Sequence, residues 1–415
     1  MTRPIRRMAL LGGLLALAAS APPELPHESF EEDFRTAWRE VGSMYAYFDK
    51  KATRWDEVPR LYAADLARVG SKREFVALLE RVIDELYDPH AQLTVNTPES
   101  PRLVPSGADI WAEWRGGEAV VTDVRAGSDA ERARVRPGDV VLRLNGSPIA
   151  EAVSARMGRS YPHNVGAARE WALRAALAGI HGTARSLVVR SGQMVRTVEL
   201  AAADQPGARS NDAVTRSEPR PGIGCIRFND SLGDAKTVAA FDEALAALRE
   251  SRALVIDLRD TPSGGNSSVA RGVLGRFVPR ETPYQKHSLP SEERETGIRR
   301  SWLELVSPRG VFVYDGPVAV LVGHWTGSMG EGLAIGFDGT GRGTAVGTRM
   351  AGLAGATYHV TLPKTGIGLN VPAERLFHVN GTPREDFRPT VPVDPAGSGP
   401  EADPILAAAL VYLAK

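Results

Sequence analysis

Ser328 stands in GHWTGSMGEG, residues 323–332, between the apolar run PVAVLV and the helix-like run GLAIGF. A serine becomes a nucleophile when a sharp turn exposes it, a base lies within reach and N–H donors face the oxyanion it creates. A strand, a tight turn and then a helix would meet the first need, and Gly327 and Gly330 let the backbone bend without steric penalty. A helix that starts near Ser328 leaves free N–H groups at its head, positive toward a developing anion. The residues depart from Gly-x-Ser-x-Gly, and a serine here also reads as a plain N-cap. What decides is the company the chain brings to Ser328.

A second glycine-rich turn, DLRDTPSGG at 257–265, follows another apolar strand-like run. Gly264 and Gly265 could expose backbone amides toward the carbonyl that Ser328 attacks. Losing one such donor typically costs roughly 2.7–4 kcal/mol of transition-state stabilisation. The other reading of this turn is tight packing alone.

The elements that must position these turns fall into blocks. With 415 residues, two to three domains are expected. Lys plus Arg (50) equals Asp plus Glu (50), and the only basic cluster is at the N-terminus, which argues against a nucleic-acid partner. Residues 1–21 join Arg3, Arg6 and Arg7 to a short apolar run and small residues, the pattern of a cleaved signal peptide. The expected location is therefore periplasmic or secreted, a retained N-terminal anchor being the alternative. Removing the leader takes away three arginines and no acids, so the mature charge is 47 − 50 = −3. The lone Cys225, in GIGCIRF, reads as buried and inert.

Residues 28–100 form a helical region. In SKREFVALLERVIDELYD, Phe75, Leu78, Leu79, Val82, Ile83 and Leu86 recur at helical spacing, with a capping box at Ser71 and Glu74. Residues 104–202 carry short strand-like runs with the turns RPGD and NG, and PGDVVLRLNG within them resembles a PDZ domain. Such domains bind an extended peptide at a sheet edge and hold its terminal carboxylate; a domain that only spaces or covers is the other reading. Residues 203–221 read as a polar linker. Residues 222–415 hold continuous Val/Ile/Leu runs followed by glycines and helices, the mark of α/β layers with strands buried on both faces.

Strand–DLR…GG–helix and then strand–TGSMGEG–helix, after a PDZ-like module, resembles the carboxyl-terminal processing (tail-specific) and tricorn-type serine peptidases. The resemblance covers nearly the whole mature chain. It implies an α/β fold: a crotonase/ClpP-like catalytic domain with an N-terminal helical region and a PDZ-like domain. It also implies Ser328 as nucleophile and Met329 with Gly264 or Gly265 as oxyanion donors.

One branch of that family uses a lysine about twenty-five residues after the serine. Here the loop GTRMAGLAGA puts Leu353 near that slot, and Lys364 lies further along. The tricorn-like branch uses an early histidine and a late glutamate. ELYDPHAQL supplies His90, and NGTPREDFRPTVPVD supplies Glu385. With an ordinary pKa near 6.5, histidine accepts a serine proton at neutral pH, whereas a lysine must first be shifted by several units. Glu385 would then steady the imidazole, in triad logic. His324, His287 and Glu331 are the remaining candidates near the site, His287 in what reads as a lid or surface loop. The scattered histidines lack metal-ligand spacing, so neither metal nor other cofactor is expected.

The expectation is an exported serine endopeptidase acting on polypeptides, unfolded or with a free C-terminus. The rivals are a catalytically inactive PDZ-type peptide-binding scaffold and a Ser–Lys dyad peptidase using another lysine.

Overall fold

The computed structural model describes residues 25–202, 210–395 and 403–415. The expected leader, 1–21, lies outside the described residues. The chain opens with three helices, α1 (His27–Met44), α2 (Val58–Leu66) and α3 (Lys72–Ile83). Ser71 Oγ caps α3 by accepting the Glu74 N–H at 3.3 Å, and Phe75, Leu78, Leu79, Val82 and Ile83 form its buried face. A short turn, Asp84–Leu86, ends at Tyr87 in a left-handed conformation (φ +34°), which redirects the chain into β1 (Gln92–Leu93).

The middle of the chain holds β2 (Ile110–Arg115), β3 (Glu118–Val124), α4 (Asp129–Arg132), β4 (Val140–Leu144) and β5 (Ser147–Pro148). These are followed by α5 (Ile149–Arg156), α6 (Gly166–Ala178), β6 (Arg185–Ser191) and β7 (Met194–Leu200). The strands form an antiparallel sheet ordered β2-β3-β4-β6-β7, with β5 beside β4. Its core joins Val121, Val141, Leu187 and Val189 to Leu173 and Leu177 of α6.

The last part contains β8 (Val214–Arg220), β9 (Ile223–Phe228), α7 (Lys236–Ala247), β10 (Ala253–Asp257), α8 (Ser267–Leu274), β11 (Thr282–Ser288), α9 (Pro290–Thr296) and β12 (Ser301–Val306). Then come β13 (Val318–Val322), α10 (Met329–Gly339), β14 (Thr344–Gly347), β15 (Ala356–Thr361), β16 (Gly368–Phe377), β17 (Val391–Pro392) and α11 (Pro404–Tyr412). The sheet runs β17-β14-β13-β10-β9-β8, parallel except for β8. Every residue of β10 and β13 is buried, as their unbroken Val/Ile/Leu runs require. One face packs on Phe241 of α7, Val273 of α8 and Leu333 and Phe337 of α10; the other packs on Ile405, Ala409 and Leu410 of α11. Cys225 is buried in β9 with its thiol pushed up to about 12 by burial. The fold is mixed α/β.

Two expectations change, and the helical region proves to be built onto the rest. The linker at 203–221 gives way at Val214 to β8, an edge strand whose exposed polar side chains look like linker in sequence. His287 lies in β11, inside a second sheet ordered β1-β16-β11-β12, with β15 also on β16; it is not on a surface loop. The helical region has no core of its own. Phe30, Val41, Phe75 and Leu79 close against Leu362, Ile367, Leu369 and Val371, near and within β16.

Candidate active site

Parallel pairing brings the two glycine-rich turns together. In β10 and β13, Leu254 faces Val318 and Asp257 faces Leu321, so both C-terminal ends open at one edge of the sheet, where α/β sites form. Beyond the strands, the Thr261 N–H donates to the Trp325 carbonyl (3.1 Å) and the Gly327 N–H to the Thr261 carbonyl (3.2 Å). Ser328 heads α10 in a left-handed conformation, φ +49° and ψ −111°, which is strained for a non-glycine residue.

Gly264 (φ +67°) lies against this serine. A Cβ on Gly264 would fall 2.4 Å from Ser328 Cβ and 2.9 Å from its Oγ. The Gly264 N–H is spent on the Thr261 carbonyl at 3.1 Å, so the expectation of Gly264 as oxyanion donor is corrected. Among the described residues, the N–H groups of Gly265 and Met329 have no protein acceptor. Gly264 gives close approach; Gly265 and Met329 keep amides free.

His90 reaches Ser328 because β1, two residues on, pairs antiparallel with β16 (Gln92 with Asn370). Its Nε2 lies 3.1 Å from Ser328 Oγ, and its Nδ1 lies 2.7 Å from the Ala354 carbonyl oxygen. A carbonyl only accepts, so Nδ1 carries the proton and Nε2 is left to accept from the serine hydroxyl. Asp88 holds the turn, accepting the His90 N–H (3.0 Å) and the Tyr45 hydroxyl (2.7 Å). Burial first, then the charge of Arg384, lowers the His90 pKa from its ordinary value.

Glu331 is fully buried one turn into α10. Its carboxylate accepts from the backbone N–H groups of Ser328 (2.9 Å), Gly352 (2.9 Å) and Leu353 (3.2 Å). Arg384, also buried, lies 4.0 Å from Glu331 and donates to the carbonyls of Leu353 (2.9 Å) and Gly355 (2.7 Å). Burial pushes Glu331 up to about 7 against the opposing pull of Arg384 and the amides.

Other candidates lie elsewhere. Glu385 pairs with Lys50 (3.0 Å) and makes no hydrogen bond to His90, whose Nδ1 the Ala354 carbonyl occupies; direct support of the imidazole is corrected. His324 stacks on Trp111 (ring centroids 4.7 Å, planes 6° apart), with a pKa driven to about 3 by burial and by Arg174, Arg349 and Arg115. It is a packing residue. His287 is gripped by Glu374 (2.7 Å) and Glu304 (3.0 Å) and stacks on Trp302. Leu353 packs on the nucleophile turn, its Cδ1 within 3.3 Å of a Cβ built on Gly327, and Lys364 pairs at the surface with Glu32 (3.0 Å).

The middle sheet docks on this edge through β2. Trp325 Nε1 donates to the Ala108 carbonyl (2.8 Å), and Arg125 bonds Asp260 (2.8 Å). Cavities of ≈ 230 and ≈ 470 Å³ adjoin the site, sharing Trp111, Arg174, Ala351, Gly352 and Glu385. At the free edge of β2, the Trp114 N–H is already taken by Glu170 of α6 (3.0 Å). Sequence carries no signal for the Ala354 carbonyl, and none that separates Arg384 from its neighbour Glu385.

Comparison with known proteins gives the class, a serine-type peptidase. Residues 222–393 match the model of Peptidase family S41, and residues 26–84 match that of the Tricorn protease C1 domain. Over these two stretches the chain is similar to peptidase family S41 and to the tricorn protease. No curated protein matches it. Solved structures share the fold. The photosystem II D1 C-terminal processing protease is 21% identical, with a TM-score of 0.56, over 91% of this chain and 97% of that one. Mature CPAF complexed with lactacystin is 15% identical, with a TM-score of 0.60, over 93% and 97%. A putative peptidase from Parabacteroides merdae is 16% identical, with a TM-score of 0.55, over 93% and 97%.

Proposed function

We infer that the protein is an exported endopeptidase in which Ser328 is the nucleophile and His90 the general base. The observation that carries this is the 3.1 Å contact between His90 Nε2 and Ser328 Oγ, with Nδ1 engaged by a carbonyl that fixes the useful tautomer. Ser328 Oγ attacks the scissile carbonyl carbon as its proton passes to Nε2. The oxyanion is received by the amides of Met329 and Gly265. The imidazolium then protonates the departing amine, leaving an acyl-enzyme. Water attacks the acyl carbon, giving its proton to His90, which passes it to Ser328 Oγ as the carboxylic acid product departs.

Glu385 lines the adjoining cavity, paired with Lys50. The substrate is a polypeptide, and the cleft against β2 receives it in extended form. Residues 104–202 are a PDZ-like module and residues 222–415 a crotonase/ClpP-like catalytic domain. Because Glu170 caps Trp114, the free edge of β2 takes a peptide only where that cap is displaced. The leader sends the enzyme to the periplasm or the medium.

Ser328→Ala and His90→Ala variants test the reading on a denatured protein substrate and a fluorophosphonate probe. Each loses about 10⁴-fold or more in turnover, and His90→Ala also loses labelling of Ser328. Undiminished turnover by either variant refutes the assignment.

A further inference from the structure

Glu385 is the residue that sequence singles out on the late turn, yet its neighbour Arg384 is the one turned inward. The Arg384 side chain is 1% exposed against 15% for Glu385. Its Nη2 donates to the carbonyls of Leu353 and Gly355, the two that flank Ala354. The Ala354 carbonyl itself receives the Nδ1 proton of His90. From the other side, Glu331 accepts the amides of Gly352 and Leu353. Residues 352–355 are thus gripped by a cation through the carbonyls of Leu353 and Gly355 and by an anion through the amides of Gly352 and Leu353, and the Ala354 carbonyl between the two gripped ones points at the base. A backbone carbonyl has no side chain of its own to aim it; only the groups that hold its neighbours do.

We propose that Arg384 is a positioning residue for the general base: its grip on both sides of Ala354 aims that carbonyl at His90 Nδ1 and so holds Nε2 against Ser328 Oγ. This rests on the Ser328–His90 reading above. Lysine is a poor substitute, because both carbonyls are held by the two coplanar N–H groups of one guanidinium nitrogen, a reach and geometry that an ammonium on a shorter stem does not reproduce. The same guanidinium opposes a positive imidazole. The charged groups around His90 are Arg384, Asp88 on its own segment, Glu331 of α10 behind Arg384, and Lys50, Lys51, Arg174 and Glu385 along the adjoining cavity.

Arg384→Lys and the double variant Arg384→Gln/Glu331→Gln test this in the full-length protein, the second removing both buried charges so that neither is stranded. Turnover of a denatured protein substrate, its pH profile, fluorophosphonate labelling and thermal melting are measured. Arg384→Lys keeps the charge: kcat falls about 10²-fold, as for a misplaced base, KM holds, and the acid limb stays in place. The double variant loses kcat similarly, and its acid limb moves to higher pH. Lower melting temperature with unchanged kcat per labelled serine and an unmoved limb would be a merely structural role and overturns the proposal. If Ser328→Ala and His90→Ala are also active, the peptidase reading has failed and takes this one with it; if they are dead, the fault lies with Arg384 alone.

Discussion

Gly264 lies so close to Ser328 that a single added methyl would fall 2.4 Å from the serine Cβ. Real carbon atoms do not approach so nearly, so Gly264→Ala displaces one turn from the other. The backbone there is left-handed (φ +67°), which costs a residue with a Cβ about 1–2 kcal/mol. The expected result is a kcat at least about 10²-fold lower with a modest fall in melting temperature. Near-normal kcat would show that the two turns need not touch.

The pH profile follows from the burial of His90. Burial and the Arg384 charge both disfavour imidazolium, so its pKa lies below the ordinary 6.5. A general base works in its neutral form. Activity is therefore full above that pKa and declines as pH falls through it. The acid limb of kcat/KM is expected below 6.5, and an apparent pKa above that value contradicts the site geometry.

Glu331 predicts a pH effect on stability of opposite sense to that of an exposed salt bridge. Its folded pKa of about 7 exceeds the 4.5 of an unperturbed glutamate. Between those values the folded state binds more protons than the unfolded one, so stability falls as pH rises through the window. The full effect is about 3 kcal/mol. Melting curves of Glu331→Gln should lack that slope; parallel curves for both proteins would contradict it.

His324→Asn separates packing from catalysis. The imidazole is neutral and stacked on Trp111, so its loss should cost about 0.5–1.5 kcal/mol of stability. The acid limb should not move. A shifted limb would make His324 part of the proton path.

What sequence reveals here is what local chemistry encodes. Ser328 and the 264–265 glycines stood out because strand, glycine turn and helix follow one another within a dozen residues. His90 stood out through a motif and through the absence of lysine at Leu353. Ala354 could not stand out, since its contribution is a backbone carbonyl that any residue supplies. The inward turn of Arg384 is hidden for a related reason: adjacent residues on a short turn point in opposite directions, and only packing decides which faces in. His287 looked like loop because its neighbours are polar, yet Glu304 and Glu374 neutralise it inside a sheet. The 214–220 strand was hidden by edge exposure.

The pairing of β1 with β16 has a consequence for how such an enzyme is made. The base is synthesised first and the strand that seats it among the last, with the attacking hydroxyl between them. An emerging chain therefore carries its reactive groups apart throughout elongation. Competence arrives only at closure, so the nascent polypeptide is spared from digesting itself or its neighbours before it is folded.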